Sequence, residues 1–228
     1  MAQERQHITA VLDAIAGTAR GAGERGPPPV HLWDPPFCGD LDLRIASDGT
    51  WYYLKTPIGR PALVKLFASV LKREGERYYL VTPVEKCGIS VDDAPFLAVE
   101  LRVVRGDAHD VPDVASSDAG PVDAPMHAIG RRAAGEGGQI LQFRTNVDDW
   151  VACGLGHALR FEPEPLTGGL KPYLHVRRGL WAKVTRALFY DLVELGEERH
   201  INGERMFGVA SGDEFFAMAP AASLKDLV

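Results

Sequence analysis

The sequence predicts an α+β protein of two tandem related units, each a mainly antiparallel sheet packed on one helix, with an N-terminal helix ahead of them. Three observations carry this: alternating strands closed by turn residues, short helices with an apolar stripe, and an internal repeat. The 228 residues suit one large domain or two small ones. With 46% hydrophobic and 25% charged residues the composition is that of an ordinary globular chain.

Ile8, Val11, Leu12 and Ile15 recur at helical spacing, so residues 8–19 read as an amphipathic helix. Gly21 to Pro29, rich in glycine and proline, follows as a linker, and residues 1–30 form this leading segment. The first α+β unit is placed at 31–95. In it Asp40, Asp42 and Arg44 alternate with Leu41, Leu43 and Ile45, and Ser47-Asp48-Gly49-Thr50 supplies a turn before Trp51-Tyr52-Tyr53, so 40–56 reads as a β-hairpin. Leu63, Leu66, Phe67, Val70 and Leu71 form a helical stripe entered through Pro61 and ended before Gly75; Arg77 to Val84 returns as a strand.

The second unit is placed at 96–228. Tyr53, Leu54, Gly59, Ala62 and Val64 recur at one constant spacing as Tyr173, Leu174, Gly179, Ala182 and Val184. Gly75-Glu76-Arg77 recurs as Gly203-Glu204-Arg205 and Leu43-Arg44 as Leu159-Arg160. A one-residue slip aligns the helical stripe with Val184, Ala187, Leu188 and Leu192. Phe96 to Val104 and Ile140 to Thr145 read as strands that pair as a hairpin. The segment between them is mostly Gly, Ala, Pro and Asp without an aromatic residue, and 106–138 is predicted to be a mobile insertion.

Net charge is −6, which disfavours nucleic acid as a partner. The apolar stretch around Leu63 to Leu71 is far short of the ~20 residues that span a bilayer, and the first residues lack the apolar core of a signal peptide, so no membrane role and a cytoplasmic location are expected. Cys38, Cys87 and Cys153 are odd in number and contain no Cys-x-x-Cys, so no disulfide framework is read and the thiols are taken as structural. The histidines show no paired ligand spacing, and neither a glycine-rich phosphate loop nor a serine elbow occurs. No metal and no cofactor are therefore expected.

Several polar groups remain as site candidates. Asp40 and Asp42 with Arg44 could do acid/base work, and alternate charges on an exposed strand face look the same. Gly59 and Arg60 lead into a helix, where free backbone N–H groups and a guanidinium suit a small anion. Glu85 and Lys86 leave a strand beside Cys87. Arg144 and Asn146 close another strand and either fix a turn or line a pocket.

Trp33-Asp34-Pro35-Pro36-Phe37-Cys38-Gly39-Asp40, Asp48-Gly49-Thr50-Trp51, Thr56-Pro57-Ile58-Gly59-Arg60, Tyr79-Leu80-Val81-Thr82-Pro83-Val84-Glu85-Lys86, Asp92-Asp93-Ala94-Pro95 and Phe143-Arg144-Thr145-Asn146 together resemble the motif set of the bacterial domain-of-unknown-function family numbered 1285. The resemblance covers most of residues 31–195. It implies two consecutive α+β units with rolled sheets and a role in signal transduction, and it supplies no catalytic residue.

The functional expectation is a non-catalytic binding or regulatory module that takes a small anionic ligand or a peptide between its two units. A hydrolase using Asp40 or Asp42 with Arg44 or Arg60 is the alternative from the enzyme class, and a homo-oligomeric assembly protein is the third.

Overall fold

The computed structural model describes residues 28–105, 138–165 and 168–223. The predicted helix over 8–19, most of the linker and the insertion up to Gly137 lie outside the described residues. The chain divides into two units, Met1–Pro95 and Phe96–Val228.

In the first unit a 3₁₀ turn at Val30–Leu32 precedes β1 (Phe37–Ile45), β2 (Trp51–Tyr53), β3 (Thr56–Pro57), α1 (Pro61–Ser69), β4 (Leu71–Glu74), β5 (Arg77–Val81) and β6 (Lys86–Val91). The sheet order is β3-β2-β1-β6-β5-β4. Every pair is antiparallel except β1–β6, which is parallel because the intervening chain forms the crossover that parallel strands require. The β1–β2 hairpin closes where the Thr50 N–H donates to Asp48 Oδ1 at 2.9 Å and Gly49 adopts φ +79°, a conformation that favours glycine. Leu43, Ile45, Trp51, Phe67, Leu80 and Val81 form the core. Phe67 stacks on Trp51 with centroids 6.0 Å apart and planes inclined by 13°. Along the predicted stripe Leu63 and Leu66 are half-buried and Phe67, Val70 and Leu71 buried, but α1 stops at Ser69 and Leu71 already belongs to β4.

Cys38 and Cys87 are bonded to each other, which corrects the expectation of three unpaired thiols. Their separation of 49 residues gave no sign of this. They meet only because the crossover lays β6 alongside β1, where Gly39 pairs with Cys87.

The second unit comprises β7 (Phe96–Arg105), β8 (Gln139–Thr145), β9 (Trp150–Ala152), β10 (Leu159–Pro163), β11 (Leu170–Arg177), β12 (Leu180–Val184), α2 (Arg186–Glu194), β13 (Glu197–Ile201), β14 (Glu204–Ser211) and β15 (Glu214–Pro220). β7 and β8 pair as an antiparallel hairpin from Ala98↔Thr145 out to Arg105↔Gln139. Instead of the single sheet expected, this unit has two: β10-β11-β12-β7-β8-β9 and β13-β14-β15. Ser211 joins them, its Oγ donating to the Cys153 carbonyl at 2.7 Å and accepting from the Leu141 N–H at 3.0 Å.

Both units contain three antiparallel strands, a helix and three more antiparallel strands, β1 to β6 around α1 and β10 to β15 around α2. Leu43-Arg44 and Leu159-Arg160 fall on first strands, and Gly75 and Gly203 occupy the same turn with φ +59° and +86°. The helices align Ala62-Leu63 with Ala187-Leu188 and Phe67 with Leu192, so the predicted one-residue slip is corrected to a larger one. Gly59 leads α1, whereas Gly179 turns β11 into β12. The cause is β3, only two residues long where β12 has five. Val184, Leu188 and Leu192 are buried as predicted, with Val184 on β12; Ala187 is exposed. β10 lies beside β15 as β1 lies beside β6, but only β1 and β6 share a hydrogen-bonded ladder.

Gly208 sits at the register shift of β14 against β15. A Cβ there would lie 2.3 Å from the Phe216 carbonyl oxygen and 2.8 Å from Ala217 Cα, both backbone atoms. Gly208→Ala is therefore expected to destabilise the second unit by about 1–3 kcal/mol, the range of core overpacking, as measured by denaturant unfolding. Among the described residues no helix is long and apolar enough to cross a membrane.

Candidate functional site

Of the residues singled out from sequence, Asp40, Asp42, Arg44, Gly59, Arg60, Glu85 and Lys86 lie in the first unit and Arg144 and Asn146 in the second. Alternation on β1 leaves Asp40, Asp42 and Arg44 exposed while Leu43 and Ile45 are buried. Asp40 Oδ1 accepts a 2.7 Å bond from Arg77, and this pair lies across Gly88, where a Cβ would come within 2.0 Å of Oδ1. Arg44 grips both oxygens of Asp92, one bond measuring 2.8 Å, and this holds the Asp92 carboxyl below its usual range. Exposed pairs of this kind add little stability, and here they engage Asp40 and Arg44, two of the four groups that the hydrolase reading named.

Gly59 and Arg60 are exposed ahead of α1. The Arg60 carbonyl accepts the first helical bonds, from the N–H groups of Leu63 and Val64. Around Gly59 there is open space and no positive φ, so neither crowding nor backbone conformation demands glycine.

Glu85 closes a turn in which its N–H donates to Thr82 Oγ1 at 3.2 Å. Lys86 donates to Glu74 Oε2 at 2.8 Å and Lys72 pairs with Oε1 at 2.9 Å; the two lysines hold the Glu74 carboxyl below its usual range. Glu85 also brings a carboxylate oxygen within 4.8 Å of the Cys38 and Cys87 sulfurs. Arg144 bridges Glu100 and Asp148, both at 2.7 Å. Asn146 Oδ1 accepts from the Leu97 N–H at 3.0 Å and its own N–H donates to the Leu97 carbonyl at 2.8 Å, which ties the end of β8 to the start of β7. It fixes a turn.

The second unit contains a cavity that the sequence reading missed. About 410 Å³ in volume, it is lined by Lys171 and Leu170 of β11, Lys183 and Val184 of β12, and Arg186, Phe189 and Tyr190 of α2. The register Tyr173↔Lys183 sets Lys171 and Lys183 diagonally on one sheet face. Arg186 is the first residue of α2, the place Pro61 holds in α1, and its guanidinium donates to Tyr190 Oη at 3.1 and 3.2 Å. Lys171 pairs with Glu164 at 3.1 Å, so one carboxylate accompanies three cations. The available sequence signal was a basic residue opening the second helix; the lysines stand on separate strands, and only the register unites them.

On β11, further along the same strand as Lys171, His175 is buried. Its Nδ1–H donates to the Gly156 carbonyl at 2.8 Å and its Nε2 accepts from the Gly179 N–H at 3.1 Å, an arrangement that requires the neutral ring. Burial, first of all, holds its pKa below the ordinary value, and nearby His157 and Arg160 act in the same direction. The unfolded chain therefore binds a proton at a pH where the folded chain does not. Stability of the second unit should decline as pH falls below about 6.5, and unfolding midpoints measured between about pH 7 and pH 5 check this. A flat profile over that range would contradict the neutral assignment.

Fold and site thus describe a sheet-dominated α+β protein with a duplicated unit. The chain belongs to the DUF1285 family: residues 28–94 match the domain of unknown function (DUF1285), N-terminal domain, and residues 125–218 match the protein of unknown function (DUF1285), C-terminal domain. It is similar to the crystal structure of a DUF1285 family protein from Silicibacter pomeroyi DSS-3, with 44% identity and a TM-score of 0.70, over 92% of this chain and 97% of that one. A DUF1285 family protein from Shewanella baltica OS155 matches at 27% identity and a TM-score of 0.43, over 67% of this chain and 90% of that one. No curated protein matches the chain.

Proposed function

We propose that the protein is a non-catalytic binding module for a small carboxylate-bearing ligand with an apolar body, seated in the cavity at the start of α2. The observation that carries this is the convergence of Lys171, Lys183 and Arg186 on a space of about 410 Å³ in a chain whose net charge is −6. Cations gathered against the overall charge supply the local field an anion needs. Leu170, Pro172, Val184 and Phe189 supply apolar walls for the rest of the molecule. The volume suits a compact metabolite. Gly59-Arg60-Pro61, read from sequence as an anion seat, is the counterpart of this helix entry in the first unit.

The reading favours binding over turnover because the cavity lining pairs lysine and arginine with a single carboxylate, Glu164, which is engaged by Lys171. In this reading the regulatory role implied by the family resemblance is the sensing of that ligand. The test is a thermal-shift titration with octanoate, benzoate and phenyl phosphate on the wild type, Lys183→Ala and Arg186→Ala. Saturable stabilisation by one of these anions, weakened at least tenfold in apparent affinity by either substitution, is the expected result; a ligand at a hundred times its Kd stabilises by about 2.7 kcal/mol. Shifts indifferent to both substitutions would refute the site.

A further inference from the structure

The Cys38–Cys87 bond joins two sulfurs in unlike surroundings. Cys87 is 1% exposed, whereas Cys38, next to the first residue of β1, is exposed. We propose that this pair is a reversible thiol–disulfide site of the first unit, exchanged with a dithiol reductant or its disulfide form through Cys38.

Exposure decides which sulfur an incoming thiolate can attack. One thiolate of the dithiol bonds to Cys38 Sγ; the Cys38–Cys87 bond breaks, and Cys87 leaves as a thiolate that takes a proton from water. The second thiolate of the reductant then attacks its own sulfur in the mixed disulfide, releasing Cys38 as a thiolate that is protonated in turn. Two electrons and two protons have passed to the cysteine pair, and the reductant departs as a disulfide. Oxidation is the reverse.

Three further features fit this role. The Cys38 sulfur lies 3.3 Å from the Lys86 carbonyl oxygen, an acceptor for the thiol once the bond opens. The β1–β6 register shifts between Phe37 and Gly39 and again between Asp40 and Arg44, so the ladder around Cys38 is irregular. Phe37 and Val84, respectively 50% and 67% exposed, flank the pair and provide apolar surface for a protein dithiol to rest on. Cys153, by contrast, is buried, and burial pushes its thiol well above the ordinary pKa, which keeps it out of exchange.

The test equilibrates the folded full-length chain in glutathione buffers of graded reduced-to-oxidised ratio, quenches with acid, and counts thiols in denaturant with a maleimide of resolvable mass. The count should move from one thiol to three as the buffer becomes reducing, because only Cys153 stays outside the pair. Cys38→Ser should hold two thiols throughout. In Cys87→Ser the glutathione adduct should map to Cys38, and in Cys38→Ser Cys87 should remain unmodified in the folded protein. If Cys87→Ser does not fold, the Cys38→Ser and wild-type arms still decide the matter. The proposal fails if reduction requires denaturant or if all three thiols persist in oxidised glutathione. It also fails if the reduced chain retains a stoichiometric zinc ion on Cys38, Cys87 and Glu85 that blocks oxidation.

Discussion

Phe67→Ala is expected to destabilise the first unit by about 3–5 kcal/mol, the range for truncating a buried aromatic side chain. Phe67 is 1% exposed and stacks on Trp51, so its removal costs both transfer free energy and a cavity against a ring that belongs to the sheet. A domain is stable by only about 5–15 kcal/mol, so the loss takes a large part of the total. Leu63→Ala, on the half-buried side of the same helix, should cost less. Leu192, aligned with Phe67 and 0% exposed, should cost about 2–5 kcal/mol when truncated to Ala, and the loss should fall on the second unit. Denaturant unfolding followed by tryptophan fluorescence measures both. A Phe67→Ala cost under ~1 kcal/mol would mean that α1 does not anchor its sheet.

Opening the Cys38–Cys87 bond is expected to lower the stability of the first unit by roughly 4 kcal/mol. The bond closes a loop whose ends are 49 residues apart, and chain-entropy scaling places such a loop between the ~3 kcal/mol of a short loop and the ~4.7 kcal/mol of one twice this size. Unfolding curves with and without reductant should differ in the first-unit transition and coincide in the second, whose Cys153 is free in either condition. Equal shifts in both transitions would show that the reductant acts on something other than this bond.

What could be read from the sequence was local. The β1–β2 hairpin declared itself because alternation and the Asp48-Gly49 turn are properties of adjacent residues. The Gly75 and Gly203 turns were found as a repeated tripeptide for the same reason. The β7–β8 hairpin was legible because its two strands remain apolar on either side of a segment poor in apolar residues. The helix alignment was not, because identities such as Ala62/Ala182 matched a helix residue to a strand residue, and the short β3 that displaces them has no signature of its own. The disulfide was hidden for a topological reason: parallel pairing of β1 with β6 depends on everything folded between them.

The candidate site follows the same division. Arg60 and Gly59 were conspicuous because a helix entry can be recognised in one stretch of chain, and they prove to be exposed surface. Lys171, Lys183 and Arg186 come from two strands and a helix, and their common cavity exists only in the register of β11 against β12 and the placement of α2. Asn146, read from sequence as either fixing a turn or lining a pocket, binds Leu97 of the neighbouring strand through its side chain and backbone, a partner 49 residues away that no local pattern announces.

The most direct test of the account is an amide NMR titration of the full-length protein with octanoate, read residue by residue. Saturable shifts are expected to cluster on Leu170, Lys171, Lys183, Arg186 and Phe189, with those of Gly59 and Arg60 small and unsaturated, and the cluster should vanish in Lys183→Ala. Saturable shifts centred on Gly59 and Arg60, or a spectrum unchanged at every concentration of octanoate, benzoate and phenyl phosphate, would contradict it.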